Sequence, residues 1–374
     1  MNQFIKNNGF AGLSLLFALV LTVMSGIEFL NMHENEKLFP SKDLTKIEML
    51  SKYNASIKDT PGDTEIYFFE GKEPGGKTLI LGGTHPNEAS SYLTAYLILE
   101  NVEIKKGTLI IIPRTNNSAF THNDPMEGQP QFFTIDGRNG PREFRYGSRI
   151  TNPCEQWPDP EIYLHYPSGQ KLAGNETRNL NRSYPGRKDG PITERVSYAV
   201  LALINSEKID LSFDLHEAAP EYPVVNAIVA SERSQDIASE AAMELEFEGL
   251  EYSIEPSPYN FRGLSHREWQ DHSDTYPFLL ETANPIQGRL RGRTDEQLLL
   301  SGFDKMYLKG AELGQVKVPY DSTGISIEVR IGRHLAAVTK IMEVFNNYFP
   351  EKGTAVAGLP SYEELLAKGI GEYF

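Results

Sequence analysis

The stretch Lys77-Thr-Leu-Ile-Leu-Gly-Gly-Thr-His-Pro-Asn-Glu88 decides the fold. Its first half is an apolar run stopped by two glycines, a pattern typical of a buried strand. Apolar residues then recur at helical spacing from Asn87 to Glu100, and asparagine is favoured at a helix N-terminus. A buried strand that passes at once into a helix predicts an α/β fold.

The same alternation of strands and helices continues along the chain. The pattern predicts strands at 65–70, 107–113, 209–215, 224–230, 276–281 and 325–331, and helices at 41–53, 192–206, 234–249, 295–310 and 335–348. Continuous apolar strands separated by helices predict an α/β sandwich with a mixed, largely parallel central sheet. Between residues 114 and 190 the pattern dissolves, and an irregular stretch this long inside a compact domain is usually functional.

Charge and cysteine content exclude some partners and some kinds of site. The 374 residues carry a net charge of -15, which argues against nucleic acid because phosphates call for a basic surface. Cys154 is the one cysteine, so the chain can form neither an internal disulfide nor a cysteine-rich zinc module. A metal site must therefore use histidine and carboxylate ligands.

The N-terminus carries an apolar run from Phe10 to Ile27, which follows Lys6 and precedes Glu28. A basic start, an apolar stretch and an acidic exit predict a secretory signal or an N-terminal membrane anchor. The run is short for a spanning helix, and cleavage after Ser25 is one alternative; a buried amphipathic helix is another. Either favoured interpretation places the rest of the chain outside the cytoplasm.

Three polar groups directly follow apolar strands, where ligand sites of α/β sheets gather. His85 and Glu88 follow the first strand, His216 ends a second, and Glu281 ends a third. Two histidines and one glutamate form a known catalytic zinc set that leaves a fourth position open. Asp214 or Glu217 is expected to orient a ligand imidazole. Each motif is weak alone, and their shared position at strand ends makes the set stronger.

The order of these motifs resembles the zinc carboxypeptidases. The matching elements are His85-Pro-Asn-Glu88, Asn179-Leu-Asn-Arg-Ser-Tyr-Pro-Gly186, Asp214-Leu-His216 and the strand-end Glu281. The sequence of the first motif is most similar to that of the succinylglutamate desuccinylase/aspartoacylase branch. Asn179 stands where the family pattern has aspartate. The resemblance covers about residues 75–285 and implies a three-layer sandwich of the zinc-carboxypeptidase type.

The resemblance also implies roles for single residues. His85, Glu88 and His216 would bind one Zn²⁺ per chain, and Glu281 would act as general base. Asn181 and Arg182 would hold the substrate carboxylate. A further arginine should polarise the scissile carbonyl; Arg149 is favoured for this role, with Arg145 as the alternative and as a substrate-binding residue. Tyr259 resembles the mobile substrate-binding tyrosine of the peptidases. His266 and His272 are expected to make hydrogen bonds near the pocket rather than to bind metal.

Together these features predict a zinc-dependent hydrolase outside the cytoplasm that cleaves an amide bond next to a carboxylate. The export signal favours a carboxypeptidase that acts on peptides, and the sequence of the first metal motif favours an N-acyl amino-acid deacylase. The alternative from another class is an inactive module that binds peptides or cell wall in the same cleft. We divide the chain into residues 1–30 (signal or anchor), 31–60 (linker and first helix), 61–350 (hydrolase domain) and 351–374 (C-terminal tail).

Overall fold

The computed structural model describes residues 2–124 and 127–374, with side chains from residue 8 onward, so that the side chain of Lys6 lies outside the described part. The helices of these ranges are α1 Asn2–Asn31, α2 Ala89–Asn101, α3 Ile192–Glu207, α4 Gln235–Phe247, α5 Ser265–His272, α6 Glu296–Ser301, α7 Lys305–Glu312, α8 Ile327–Tyr348 and α9 Tyr362–Lys368. The strands are β1 Leu44–Met49, β2 Glu65–Glu70, β3 Glu73–Leu81, β4 Glu103–Ile112, β5 Phe132–Gly137, β6 Gly140–Arg145, β7 Ile162–Leu164, β8 Lys171–Ala173, β9 Leu211–Ala218, β10 Ala227–Ala230, β11 Ser253–Pro256, β12 Tyr276–Ala283 and β13 Ala355–Ala357.

One mixed sheet forms the centre of the fold. Within the described ranges its strand order is β1-β2-β4-β3-β9-β12-β10-β11, and β13 pairs with β4. The central strands β4, β3, β9 and β12 are parallel, while β2 and β10 run antiparallel to the strands beside them in this group. The predicted fold class, an α/β sandwich with a mixed and largely parallel sheet, is confirmed.

Helices cover both faces of the sheet and make three layers. Ile80 and Ile111 point into a core that is shared with α2, α4 and α8. Their neighbours Leu79 and Ile110 point to the other face, into a core shared with α3 and with Trp269 of α5. Apolar residues on both sides of one strand explain why the strands are read in the sequence as continuous apolar runs.

The carboxyl ends of three adjacent parallel strands meet at one edge of the sheet. Leu81 of β3 is in register with Asp214 of β9, and His216 of β9 is in register with Glu281 of β12. The loop from Gly82 to Glu88 follows β3 at this edge and leads into α2. Strand order alone therefore brings all the predicted metal motifs together.

The prediction of a helix at 41–53 is wrong, because this segment contains β1 followed by one turn of 3₁₀ helix at Leu50–Lys52. Exposed and half-buried residues alternate along β1, and the strand pairs antiparallel with β2 at the sheet edge. Pairing with an existing sheet outweighed local helix propensity here.

The prediction of a strand at 325–331 is also wrong. Helix α8 begins at Ile327, and the side chain of Ser326 accepts a hydrogen bond from the backbone N–H of Val329 as its N-cap. Ile327, Ile331 and Leu335 lie four residues apart and are all buried. This spacing places them on one face of a helix, so the alternating apolar residues of 325–331 belong to a longer helical pattern.

Several other segments differ in extent from the prediction. The helix predicted at 295–310 is two helices, α6 and α7, because Gly302 has a φ of 61° and ends the first. The irregular stretch from 114 to 190 contains two small hairpins, β5–β6 and β7–β8. Residues 351–374 are packed onto the domain, since β13 joins the sheet and the side chains of Leu365 and Phe374 are buried.

The segment after α1 is bound to the domain rather than acting as a free linker. We call residues 32–41 the N-terminal strap. Arg145 donates hydrogen bonds to the carbonyl of Met32, to Asn35 Oδ1 and to both carboxylate oxygens of Glu36, at 2.9 to 3.0 Å. Burial alone would raise the pKa of Glu36, but the charge and hydrogen bonds of Arg145, helped by the charge of Arg114, lower it to about 2.

Helix α1 itself makes few contacts with the domain. Residues Asn8–Asn31 are exposed, and an 18-residue window within them has a mean hydropathy of 2.2, so this helix is long and apolar enough to cross a membrane. A signal sequence meets the same criteria.

Candidate metal centre

His85, Glu88 and His216 converge at the carboxyl edge of the sheet, and all three side chains are buried. His85 Nδ1 lies 2.9 Å from Glu88 Oε1, and His216 Nδ1 lies 2.9 Å from Glu88 Oε2. The two Nδ1 atoms are 3.1 Å apart. One ligand atom from each residue therefore falls within 4.8 Å of the others, as three ligands of one metal ion would.

Glycines at the end of β3 let the metal-binding loop pack tightly. Gly83 has a φ of 65°, and a Cβ at this position would lie 2.7 Å from the ring of Phe120. A Cβ at Gly82 would lie 2.9 Å from the Cα of Tyr92 in α2. The loop is thereby pressed against α2, which places His85 next to Glu88 at the start of that helix.

The far nitrogen of each imidazole is held by an acceptor. His85 Nε2 lies 2.8 Å from Asn179 Oδ1, and His216 Nε2 lies 3.0 Å from Asp214 Oδ2. Because both partners are oxygen acceptors, each Nε2 carries a proton when its ring is neutral, and each Nδ1 presents its lone pair. Partners of this kind fix the orientation of metal-bound histidines.

Two lone pairs that face each other at 3.1 Å repel unless a cation or a proton lies between them. Burial and the charge of Arg149 lower the pKa of His85 to about 4. The charges of Asp214 and Glu88 overcome burial and raise the pKa of His216 well above its ordinary value. The same pair of imidazoles with one carboxylate is a donor set for zinc, so the residues present fit a metal ion in the place of that proton.

Asp214 and Glu217 have different roles. Asp214 Oδ1 accepts from Thr84 Oγ1 at 2.7 Å, and its Oδ2 accepts from Ser265 Oγ at 2.5 Å, which leaves it rigid behind His216. Glu217 instead pairs with Arg330 at 2.9 Å in the core. Of the two carboxylates expected to orient an imidazole, Asp214 is the one that does so. No role is predicted for Asn179 from its residue type, and its position at the head of the Asn179–Arg182 motif is the signal that points to it.

A cavity of about 1310 Å³ opens beside the metal ligands. Arg149, Asn181, Arg182 and Glu281 all line it. Arg149 Nη1 lies 2.9 Å from Glu88 Oε1, so this arginine reaches the metal cluster. Four of the residues selected from the sequence for catalysis or substrate binding thus face one space.

The positive charge of Arg182 is only weakly balanced by carboxylates of the described residues. Its Nη1 donates to the carbonyl of Asn181 at 2.6 Å, and the carboxylate of Glu176 is 3.8 Å from its Nε. Burial, together with the charge of Arg149, lowers the pKa of Arg182 to about 10. Two guanidinium groups that share a cavity in this way attract an anion of the size of a carboxylate.

Glu281 lies beside His216 on the neighbouring strand. Its Oε2 is buried and has no hydrogen-bond partner among the described residues. Burial raises the pKa of Glu281 to about 8, against the positive charge of His216 and with the help of the negative charge of Glu88. A cation bound at the three ligands would lower this pKa again, which is appropriate for a carboxyl group that exchanges protons near neutral pH.

Two residues selected from the sequence lie outside this group. Arg145 is buried and its guanidinium is committed to the N-terminal strap, so the structure does not bring it to the cavity. Tyr259 is 70% exposed, and its ring lies 5.9 Å from the guanidinium carbon of Arg267, outside the cavity lining. His266 lines the cavity, while His272 lies 3.3 Å from Glu268 and does not.

Comparisons with known proteins give similarity in structure but none in sequence. No family model and no curated protein matches the chain. A metallo-carboxypeptidase from Burkholderia cenocepacia is similar at 11% identity and a TM-score of 0.48, covering 86% of this chain and 68% of the other. The cell shape determinant Csd4 from Helicobacter pylori is similar at 12% identity and a TM-score of 0.45, covering 82% of this chain, which spans 59% of the Csd4 chain.

A succinylglutamate desuccinylase from a Silicibacter species is also similar, at 13% identity and a TM-score of 0.41, covering 82% of this chain and 70% of the other. The solved structures similar to this chain therefore include both groups that the sequence motifs resemble, the metallocarboxypeptidases and the succinylglutamate desuccinylase/aspartoacylase branch.

Proposed function

We propose that this chain is a zinc-dependent hydrolase that cleaves an amide bond next to a carboxylate. One observation supports this above all others. A buried cluster of two imidazoles and a carboxylate opens into the same cavity as two arginines and Glu281, whose Oε2 has no hydrogen-bond partner among the described residues. A metal ligand set, an anion site and a carboxyl group with a raised pKa are the parts that such a hydrolysis requires.

His85, Glu88 and His216 would hold the metal, which supplies Lewis acidity to the site when bound. Arg182 and Asn181 bind the carboxylate of the substrate and so fix the position of the neighbouring amide bond. Glu281 takes the proton of the attacking water and then delivers it to the leaving nitrogen, so that no net proton is consumed at this residue.

Arg149 is proposed to stabilise the oxygen of the scissile carbonyl. Its guanidinium lies at Glu88, beside the metal ligands, and about 39% of the side chain is exposed to the cavity and solvent. Negative charge develops on the carbonyl oxygen as water attacks, and a guanidinium positioned beforehand stabilises that charge.

Peptides are the favoured substrates. The cavity of about 1310 Å³ exceeds the roughly 300–1,000 Å³ of typical small-molecule sites. Helix α1 supports a location outside the cytoplasm, as a signal or an anchor. An N-acyl amino-acid deacylase remains the second candidate, because its substrates present the same amide and carboxylate to the same residues.

The test uses the full chain, stripped with a chelator and reloaded with zinc. We expect one metal ion per chain and hydrolysis of peptides or N-acyl amino acids from a panel of both. Glu281→Gln should lower kcat by about 10²–10⁴-fold while metal content stays the same. Absence of stoichiometric metal, or full activity of Glu281→Gln, would overturn the proposal, and tight peptide binding without turnover would favour the binding module.

A further inference from the structure

His266 lies next to the proposed carboxylate site because two contacts hold its segment there. The backbone N–H of Ser265 donates to Asn181 Oδ1 at 2.8 Å. Gly263, with a φ of 90°, packs so closely on the backbone of Arg182 that a Cβ would lie 2.2 Å from the Arg182 carbonyl oxygen. The first contact also occupies the oxygen of the Asn181 amide. Its NH₂ group lies 3.5 Å from His216 Nε2, which directs its own proton to Asp214 and cannot accept, so the NH₂ group can donate to a ligand.

The imidazole of His266 is buried, neutral and incompletely bonded. Its side chain is among the residues that line the cavity, and the residue is 2% exposed. Burial lowers the pKa of His266 to about 3, against the opposing charge of Asp214. Its Nδ1 is buried without a hydrogen-bond partner among the described residues.

A neutral imidazole carries one proton, and the location of that proton follows from the cost of leaving it unbonded. Buried N–H groups without a partner are rarer in proteins than buried acceptors without one. The proton of His266 is therefore expected on Nε2, which leaves the buried Nδ1 as a bare acceptor. The ring then offers one N–H donor to whatever occupies the cavity.

We infer that His266 donates a hydrogen bond to the substrate carboxylate that Arg182 and Asn181 hold, and so makes this end of the cavity selective for a terminal carboxylate over its primary amide. The inference rests on the proposed function. A carboxylate accepts from all three donors at once. A carboxamide accepts through one oxygen only and turns its own NH₂ group toward donors.

The experiment measures binding in the zinc-loaded Glu281→Gln protein, so that the probe is not consumed. The probes are acetyl-alanyl-alanine and the same compound with a C-terminal carboxamide, titrated by calorimetry. We expect the background protein to prefer the carboxylate, and we expect His266→Leu to reduce that preference at least about tenfold, because a hydrogen bond to a charged group is lost. His266→Gln, which keeps a neutral N–H donor, should recover most of the preference.

His272→Leu is the matched control, since it removes a histidine from the same helix that does not line the cavity. Its preference should equal that of the background protein. Thermal unfolding and zinc content are measured for each variant, and a merely structural role of His266 would weaken both probes equally. An unchanged preference in His266→Leu, an equal loss for both probes, or no preference in the background protein would overturn the inference. A failure of the proposed function appears elsewhere, as a native enzyme that binds zinc and hydrolyses nothing in the panel.

Discussion

The two imidazoles of the metal centre are backed by different acceptors, and this difference is the main feature at the residue scale. Asp214 presents a carboxylate to His216, whereas Asn179 presents a neutral amide oxygen to His85. A carboxylate raises the basicity of the ring that it contacts more than an amide does. His85 is therefore the weaker donor of the two, and on the side away from the metal ligands its ring is held by the hydrogen bond to Asn179.

Replacing Asn179 tests this dependence. Asn179→Leu removes the acceptor at His85 Nε2, so we expect zinc affinity to fall by about 10- to 100-fold. Competition with a chromogenic chelator measures that affinity directly. Asn54→Leu serves as control, because Asn54 is also a buried asparagine but caps the turn at Ala55–Ile57. Equal zinc affinity in Asn179→Leu and the control would contradict this role for Asn179.

The sequence predicted the members of the site better than their partners. His85, Glu88, His216 and Glu281 could be selected because each follows an apolar strand, and strand ends converge at one edge of a parallel sheet. The choice between the arginines at 145 and 149 could not be derived in this way. Both lie in an irregular stretch, and their directions depend on the end of β6 and on a strap more than a hundred residues away.

At the scale of single elements, the turn after β3 links packing to chemistry. Gly83 has a left-handed backbone, and a Cβ added at this position would lie 2.7 Å from the ring of Phe120. The strain of a side chain in this conformation and the collision with a buried ring are separate effects. Both would act two residues away from a metal ligand.

Gly83→Ala should therefore destabilise the protein by more than conformational strain alone. Strain costs about 1–2 kcal/mol, and overpacking of a core adds about 1–3 kcal/mol. Gly249→Ala is the matched control, because Gly249 has a φ of 82° and nothing lies within 4 Å of the added Cβ. Urea unfolding compares the two, and a Gly83→Ala protein no less stable than Gly249→Ala would show that the collision is relieved without cost.

Elements with long, unambiguous periodicity could be predicted from the sequence, and short ones could not. The limits of β2 agree with the prediction to the residue, and those of α3 within one residue. The pattern divides α8 between a strand and a helix, because residues 325–331 alternate apolar and polar at the period of a strand, while Ile327 and Ile331 also fit the period of a helix. The sequence pattern predicts a helix where β1 lies, because the partner strand β2, and not the composition of the segment, determines its conformation.

At the scale of the whole molecule, the N-terminal strap ties the first forty residues to the domain. The pair of Glu36 and Arg145 is buried, with side-chain exposures of 5% and 1%. Breaking a buried pair by removing one partner leaves the other charge without compensation. The pair therefore contributes to the stability of the domain as well as to the position of the strap.

Glu36→Gln should lower the free energy of unfolding by about 3–5 kcal/mol. Glu103→Gln is the control, because Glu103 pairs with Lys42 at the surface and exposed pairs contribute about 0–1 kcal/mol. Urea titrations at pH 7 measure both. A loss for Glu36→Gln as small as that for Glu103→Gln would mean that Arg145 finds another acceptor or water.

The same pair predicts a dependence of stability on pH. The pKa of Glu36 is about 2 in the folded protein and near 4.5 when unfolded, so the carboxylate stabilises the fold above pH 4.5. This contribution, on the order of 3 kcal/mol, is lost as the pH falls from 4.5 toward 2. The difference in unfolding free energy between the native chain and Glu36→Gln should therefore shrink from pH 6 to pH 3. A difference that stays constant over this range would contradict the lowered pKa.

The strap also limits how far the domain can move relative to α1. A flexible linker of ten residues would have a root-mean-square end-to-end distance of about 15–20 Å and would let the domain move over that range. Here Met32, the first residue after α1, is buried, and Arg145 donates a hydrogen bond to its carbonyl. If α1 lies in a bilayer, the bound strap leaves almost no free chain between the lipid and the domain, so the cavity would stay close to the membrane surface. Substrates attached to that membrane would then be able to enter the cavity, whereas substrates farther from the membrane than the width of the domain would not.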